Sequence, residues 1–163
     1  MVESEIHTAV YPLMEHYYTI QGEGYNTGKA CYFLRLGGCD VGCVWCDVKE
    51  SWDVNAHPIV SVDEMLGFVK DSKAGRVVVT GGEPLMHDLT FLTAKFAEAG
   101  IETLLETSGA YLLTGKWNWI CVSCRPRTAE GGIWRLRYHS NDVQYHLGQC
   151  VCACSSAPDK IYC

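Results

Sequence analysis

The sequence lacks several features that would assign it to a common class of protein at once. It contains no apolar run near the length of a membrane-spanning helix. Its first residues, 1–5, are polar and acidic and lack the basic start and apolar core of a secretory signal, so we expect a cytoplasmic protein. Positive charge is scarce, with 13 Lys and Arg against 19 Asp and Glu, and a formal net charge of −6 disfavours nucleic-acid or membrane partners.

Cysteine, in contrast, is abundant, with 10 residues in a chain of 163. In a chain without a secretory signal, clustered cysteines favour metal binding over disulfides. Cys39, Cys43 and Cys46 are separated by three and then two residues, and they follow an apolar segment. Thiolates are the ligands that iron–sulfur clusters and zinc select. A four-iron cluster on three thiolates keeps one iron open for another ligand.

Zinc is the alternative for this cysteine loop. A structural zinc ion takes four ligands, usually as two pairs. The fourth ligand would have to be His57 or Cys121, because the first 120 residues contain no second pair. The spacing therefore favours an iron–sulfur cluster over zinc.

Strands and helices alternate along the chain in the pattern of an α/β protein. The predicted elements are strands at 16–20, 29–36, 76–80 and 101–107, one helix from Ser61 to Gly75, and another from about Asp88 to Gly100. Ser61 and Glu64 form a capping box at the start of the first helix. These elements predict βαβ units and a parallel sheet, whose ligands bind at the carboxyl ends of the strands.

Three polar motifs follow three of the predicted strands. They are the cysteine loop, Gly81-Gly82-Glu83-Pro84 and Glu106-Thr107-Ser108-Gly109. Because the carboxyl ends of parallel strands meet at one edge of a sheet, we expect the motifs to lie together. The sequence therefore predicts one composite site at this edge.

The cysteine spacing followed by Gly81–Pro84 resembles the radical S-adenosylmethionine (SAM) superfamily. Within it, residues 18–24, 33–39 and 106–109, together with Cys46-Asp47, resemble the 7-carboxy-7-deazaguanine synthase family, and the similarity covers about residues 13–123. The resemblance implies a partial, incomplete parallel βα barrel of the radical SAM type and a homodimer. Because the similarity ends at about residue 123, we expect this barrel to be truncated at its C-terminus. It also implies a small-molecule pterin substrate and an electron donor such as flavodoxin.

The resemblance further implies a lyase reaction on the route to queuosine in tRNA. A reduced [4Fe-4S] cluster cleaves SAM to a 5′-deoxyadenosyl radical, which abstracts hydrogen from 6-carboxy-5,6,7,8-tetrahydropterin. Rearrangement and loss of ammonia give 7-carboxy-7-deazaguanine. The family also uses Mg2+ near the substrate carboxylate.

Roles for individual residues are carried over from the same resemblance. They are Cys39, Cys43 and Cys46 as cluster ligands, Thr80, Gly82, Glu83 and Ser108 for SAM, Gln21, Glu23 and Arg35 for the pterin, and Asp47 for Mg2+. A carboxylate such as Glu83, or freed backbone carbonyls, could accept hydrogen bonds from the ammonium group of SAM. The family usually has a Thr ligand after the Asp, whereas this chain has Val48, which cannot ligate.

Two alternatives to this function remain open from the sequence. A glycyl-radical activating enzyme shares the cysteine spacing, although residues 21–24 and the short chain argue against it. The second alternative is an inactive, truncated metal-binding protein.

Residues 124–163 differ in character from 1–123, which we assign as the radical SAM core domain. The core holds 8 Lys and Arg against 16 Asp and Glu, whereas the cysteine-rich tail holds 5 against 3 and half of the cysteines. Three explanations compete: a frameshift near codon 123, a divergent tail with a metal site at Cys150, Cys152 and Cys154, or a disordered tail. A frameshift accounts for the changes in charge, cysteine content and pattern together.

Overall fold

A six-stranded mixed sheet organises residues 9–123, the part of the chain that the computed structural model describes. The elements are β1 (Val10–Ile20), β2 (Ala30–Leu36), β3 (Ile59–Ser61), α1 (Val62–Asp71), β4 (Arg76–Gly81), α2 (Thr90–Glu98), β5 (Glu102–Thr107) and β6 (Trp119–Val122). The strand order is β3-β1-β2-β4-β5-β6, and β2, β4, β5 and β6 are parallel. The predicted α/β class is confirmed, with a sheet that forms part of a barrel. Within this range no helix could cross a membrane.

The first strand differs most from its prediction. We predicted a short strand at residues 16–20, but β1 begins at Val10 and runs antiparallel to β2. Its first residues also pair with β3, a three-residue edge strand that the sequence did not predict. Three residues are too few to show an alternating pattern, and β3 is positioned by its pairing with β1.

A β-bulge in β1 places Leu13 and Glu15 on opposite faces of the sheet. Leu13 pairs with Leu36 and Glu15 pairs with Arg35, so Met14 is an extra residue in β1. Leu13 is buried in the main core, whereas Glu15 reaches Arg35 on the other face. Without the extra residue, two positions separated by one residue would share a face.

The main core lies between the sheet and the two helices. In β4 the side chains of Val77 and Val79 join this core, while Val78 packs on the opposite face. All three valines are fully buried, as predicted from their uninterrupted apolar run. The helices contribute Met65 and Phe96, among others, to the same core.

The opposite face of the sheet carries a smaller apolar cluster of Cys31, Phe33, Val78 and Leu104. The loop after β1 folds toward this face, where Tyr25 stacks on Trp119 with ring centroids 5.1 Å apart. Beyond the cluster, toward the carboxyl ends of the strands, the same face becomes polar. This change from apolar to polar positions the candidate site.

Helix α1 begins where the capping box predicts. The Ser61 hydroxyl accepts a hydrogen bond from the Glu64 backbone N–H at 3.2 Å. The helix ends at Asp71, earlier than the predicted stop at Gly75, because Ser72 bonds back to the Val69 carbonyl and Lys73 adopts a φ of 58°.

Removing the cap should destabilise the protein measurably. We expect Ser61→Ala to lower the free energy of unfolding by about 1 kcal/mol, because one backbone N–H of the first turn loses its acceptor. Ser61→Asp, which keeps an acceptor, should retain most of the stability. Denaturant titration of the three proteins measures the difference, and equal midpoints for Ser61→Ala and the parent would contradict this role.

Candidate active site

A cavity of about 200 Å³ opens at the carboxyl ends of β2, β4 and β5. Its lining includes Glu23, Arg35, Cys39, Cys43, Cys46, Asp47, Val48, Ser51, Trp52, Thr80, Gly81, Gly82, Glu106, Thr107, Ser108 and Ser123. The three motifs expected to converge therefore surround one cavity. Most predicted site residues are in this lining, whereas Gln21 and Glu83 lie behind it.

The cysteine loop is anchored by its backbone. The N–H of Gly38 donates to the carbonyl of Ser51 at 2.7 Å, and the N–H of Cys39 donates to that of Trp52 at 3.2 Å. Within the loop, Cys46 N–H donates to the Cys43 carbonyl at 3.1 Å. All three cysteines are free thiols and are partly exposed to the cavity.

Gly81 and Gly82 allow the ends of β2 and β4 to come into direct backbone contact. Gly82 N–H donates to the Leu36 carbonyl at 3.0 Å, and Glu83 N–H donates to the Gly38 carbonyl at 2.8 Å. Gly81 has a φ of +134°, and a Cβ there would overlap the backbone of Leu36. A Cβ on Gly82 would meet the Gly38 carbonyl oxygen. The two glycines therefore position the cysteine loop.

The electrostatics of the loop oppose an uncompensated thiolate. Burial raises the pKa of Cys39, and the nearby Glu83 carboxylate and the other two cysteines raise it further. The hydrogen bond from the Val41 backbone acts in the opposite direction. Cys39 therefore favours its protonated form until a cation is bound, and loading of the loop should release protons.

The ligand geometry of the loop differs from that of a single-ion site. Within residues 9–123, no three His, Cys, Asp or Glu side chains are grouped so that they could hold one metal ion. A four-iron cluster does not require such close grouping, because each thiolate binds a different iron. Three partly exposed thiols around a cavity have the donor chemistry that a cluster requires.

Glu83 lies behind the cavity wall and is only 1% exposed. The sequence assigned Glu83 to SAM, with either its carboxylate or freed backbone carbonyls as the acceptor for the ammonium group. Oε1 accepts hydrogen bonds from Leu85 N–H at 3.0 Å and the Thr107 hydroxyl at 2.6 Å. Oε2 accepts from Ser108 N–H at 2.8 Å and from the Ser108 hydroxyl. The carboxylate therefore joins the end of β4 to the end of β5.

Gln21 lies behind the cavity wall and makes hydrogen bonds to residues that line the cavity. It is 6% exposed, and its side-chain amide donates to Glu106 Oε1 at 2.8 Å. Its side-chain oxygen accepts from the backbone N–H of Glu23 at 3.0 Å. Glu23 and Glu106 line the cavity, whereas Gln21 holds the two in place.

Arg35 lies on the cavity side of β2, opposite Thr80 of β4. Its Nε donates to Glu15 Oε1 at 2.6 Å, and its Nη2 donates to the Tyr17 hydroxyl at 3.2 Å. Burial lowers the pKa of Arg35, but the hydrogen bonds and charges of Tyr17 and Glu15 outweigh it and raise the pKa overall. The guanidinium remains a cation.

Asp47 lines the cavity beside Val48, as the sequence order requires. Ser51 is close by, fully buried, and its hydroxyl donates to the Val48 carbonyl at 2.7 Å. Asp47 and Ser51 thus supply side-chain oxygens to this wall, and Val48 supplies none.

The sequence motifs left several site residues without a role. Glu106 and Thr107 were recognised only as parts of a motif, and Glu15 and Tyr17 were not selected. Glu106 could have been found by its register, because it follows Leu105 in β5 as Thr80 follows Val79 in β4, and Val79 and Leu105 are paired. Glu15 depends on a bulge that leaves no clear signal in the sequence.

The fold and the three-cysteine site agree with a comparison of family models. The model described as the Radical SAM superfamily matches residues 34–117, a span that includes the cysteine loop and Gly81–Pro84. The chain belongs to the radical SAM superfamily.

Within this superfamily, the similarity is to the 7-carboxy-7-deazaguanine synthase family, to which the chain also belongs. It is 52% identical over 129 residues to the synthase of Flavobacterium psychrophilum, covering 76% of this chain and 60% of that protein. It is 48% identical over 147 residues to the synthase of Synechocystis, covering 90% and 69%. The solved structure of QueE from Escherichia coli matches with a TM-score of 0.68 and 34% identity, covering 75% of this chain and 63% of that one. The chain thus spans about two thirds of the length of these proteins.

Proposed function

We propose that this chain acts as a 7-carboxy-7-deazaguanine synthase, a radical SAM carbon–nitrogen lyase that converts 6-carboxy-5,6,7,8-tetrahydropterin with loss of ammonia. The chain spans 60% of the length of the Flavobacterium relative. The convergence of the cysteine loop, Gly81–Pro84 and Glu106–Gly109 on one cavity is the observation that supports the proposed activity. The product belongs to the route toward queuosine.

Membership of the superfamily implies a [4Fe-4S] cluster and SAM. Cys39, Cys43 and Cys46 would hold the cluster, and together the two groups would supply a 5′-deoxyadenosyl radical to remove hydrogen from the pterin. The thiols fit the cluster because they border the cavity and are free.

Beside the thiols, the cavity has a polar edge at which SAM would bind. Thr80, Gly82 and Ser108 line this edge and can accept hydrogen bonds from an ammonium group. Glu83 contributes as a positioning residue, since its oxygens already hold the Thr107–Ser108 strand end.

The pterin would lie against the acidic and basic groups of the same cavity. Glu23 and Glu106 provide acceptors for its guanidine-like edge, and Gln21 keeps both in place. Arg35 provides the cation for the substrate carboxylate. The three charged residues come from three separate segments, so the pocket depends on the sheet for its shape.

Asp47 is our proposed Mg2+ ligand, because its oxygens suit a hard cation. With Val48 beside it, we expect Asp47→Ala to raise the Mg2+ concentration for half-maximal turnover at least about tenfold. Asp71→Ala, at the exposed end of α1, is the control that should leave the Mg2+ response unchanged. Turnover is measured against Mg2+ after chelation. Full activity of the parent protein in chelator would remove Mg2+ from the assignment.

For its partners, we propose a homodimer and an electron donor such as flavodoxin. Light scattering and reduction of the reconstituted cluster by purified flavodoxin would test these two proposals. No direct contact with nucleic acid or membrane is part of the proposed reaction.

The proposed function is tested by anaerobic reconstitution followed by assay. The protein is given iron, sulfide, SAM, a reductant and the carboxytetrahydropterin, and the product is followed by mass. We expect a brown protein with four irons and a product that has lost ammonia. A brown protein that cleaves SAM without forming deazapurine would favour a glycyl-radical activating enzyme. A colourless protein would favour an inactive metal-binding chain.

The core domain at 1–123 and the atypical tail at 124–163 stay predictions, since the tail lies outside the described residues. Translation of the nucleotide sequence beyond codon 123 in the other two frames tests the frameshift. If neither frame continues the βα pattern, a divergent tail is the better explanation.

A further inference from the structure

The guanidinium of Arg35 is hydrogen-bonded along one edge to two residues of β1. Nε donates to Glu15 Oε1 and Nη2 donates to the Tyr17 hydroxyl. Nε and Nη2 lie along the same edge of the planar guanidinium, so these partners occupy its side-facing fork. The end-facing fork, formed by Nη1 and the second hydrogen of Nη2, is not used by either partner.

Both supporting residues are themselves held in place. The Tyr17 ring stacks on Phe33, with ring centroids 5.4 Å apart and an interplanar angle of 7°. Glu15 faces Arg35 because the bulge at Met14 reverses the side on which it projects. The two hydrogen-bond partners of Arg35 are thus positioned by β1 itself.

Among the described residues that line the cavity, Arg35 is the only one with a permanent positive charge. Its side chain is 19% exposed, and acidic side chains at Glu23 and Glu106 share the lining. An anionic group entering this cavity therefore has Arg35 as its cationic partner. A planar carboxylate fits the two parallel N–H groups of an arginine fork.

We propose that Glu15 is a positioning residue, which with Tyr17 turns the end-facing fork of Arg35 toward the carboxylate of the pterin substrate. This inference rests on the proposed function. An arginine side chain that is already fixed loses less conformational freedom when the ligand binds. An exposed ion pair with no binding site beside it would have little such effect.

Equilibrium binding of two stable pterins to the reconstituted, SAM-loaded protein tests this role. The probes are 6-carboxypterin and pterin, which lacks the carboxylate, and the readout is the ratio of their affinities. We expect Glu15→Ala to reduce this ratio about tenfold while the affinity for pterin changes less than about twofold. Glu15→Gln keeps an acceptor for Nε and should stay within about threefold of the parent ratio. Tyr17→Phe should give a smaller loss than Glu15→Ala.

The chain contains a matched control pair at the opposite end of the sheet. Arg76 Nε lies 2.6 Å from Glu102 Oε2, between the first residues of β4 and β5, and the two acidic side chains are similarly exposed. Glu102→Ala should leave the ratio unchanged. Iron content and melting temperature of each variant report on folding.

Each outcome separates this inference from the proposed function. If Glu15→Ala kept the affinity ratio of the parent protein, the positioning role would be overturned. An equal loss of affinity for 6-carboxypterin and pterin would overturn it as well. A parent protein that prefers 6-carboxypterin but forms no deazapurine would contradict the proposed function and leave the role of Glu15 intact. A parent protein that forms product without preferring the carboxylated probe would overturn the inference alone.

Discussion

Replacement of Gly82 by alanine is expected to abolish assembly of the iron–sulfur cluster while the sheet remains folded. The new Cβ would meet the Gly38 carbonyl oxygen and would lie 2.9 Å from the Cβ of Cys39. One of these neighbours is backbone and the other belongs to a proposed cluster ligand, so relief requires movement of the cysteine loop. Iron and sulfide per chain after anaerobic reconstitution should fall at least about tenfold.

The effect of this substitution is steric rather than conformational. Gly82 does not have a positive φ, so alanine can adopt its backbone angles. Gly67, inside α1, is the matched control because a Cβ there has open space. Gly67→Ala should keep full iron content and raise the free energy of unfolding by about 0.5–1 kcal/mol. Normal cluster content in Gly82→Ala would show that the loop tolerates displacement.

Gly81 and Gly82 show which part of the site could be predicted from the sequence and which part could not. The motif Gly81–Pro84 predicted a place where a ligand approaches the backbone. In the structure, the backbone at Gly82 and Glu83 instead contacts the backbone of another segment, through hydrogen bonds to the carbonyls of Leu36 and Gly38. The motif indicates that small residues are required at these positions. It does not indicate which chain segment lies against them, because that depends on the strand order of the sheet.

Local signals predicted much of the fold. The capping box at Ser61, the buried run at residues 77–79 and the strand before the cysteine loop were all confirmed, because each depends on neighbouring residues. The first half of β1, its antiparallel pairing and the edge strand β3 were missed, because the pairing involves partners far along the chain.

Site residues divide in the same way. The cysteines could be located from their spacing, since three ligands on one loop need no distant partner. The contact between Gln21 and Glu106 joins residues 85 positions apart, and nothing near either residue predicts it. Sequence reasoning therefore found the groups at the cavity wall more readily than those that hold the wall in place.

Substitution of Glu83 should lower stability even before any ligand is bound. In Glu83→Ala four hydrogen-bond donors lose their acceptor in a region that is almost fully buried. We expect the free energy of unfolding to fall by about 3 kcal/mol. The freed strand end at Thr107 and Ser108 should also weaken SAM binding, measured by equilibrium dialysis.

Glu83→Gln is the more discriminating variant, because it preserves shape and removes only the charge and one acceptor. Each carboxylate oxygen of Glu83 accepts a backbone N–H, from Leu85 on one side and Ser108 on the other. Whichever way the amide is turned, its NH2 group would face a backbone donor that cannot rotate away. We therefore expect a loss of about 2 kcal/mol in denaturant titration of the unliganded protein.

The exposed Glu98 in α2 supplies the control, since Glu98→Gln should change stability by less than about 0.5 kcal/mol. If Glu83 served only to receive the ammonium group of SAM, Glu83→Gln would weaken SAM binding and leave the unliganded protein as stable as its parent. If the Glu83 carboxylate is structural, Glu83→Gln lowers the stability of the unliganded protein, and SAM binding weakens as a consequence. The buried position and four accepted hydrogen bonds of Glu83 lead us to expect the second result.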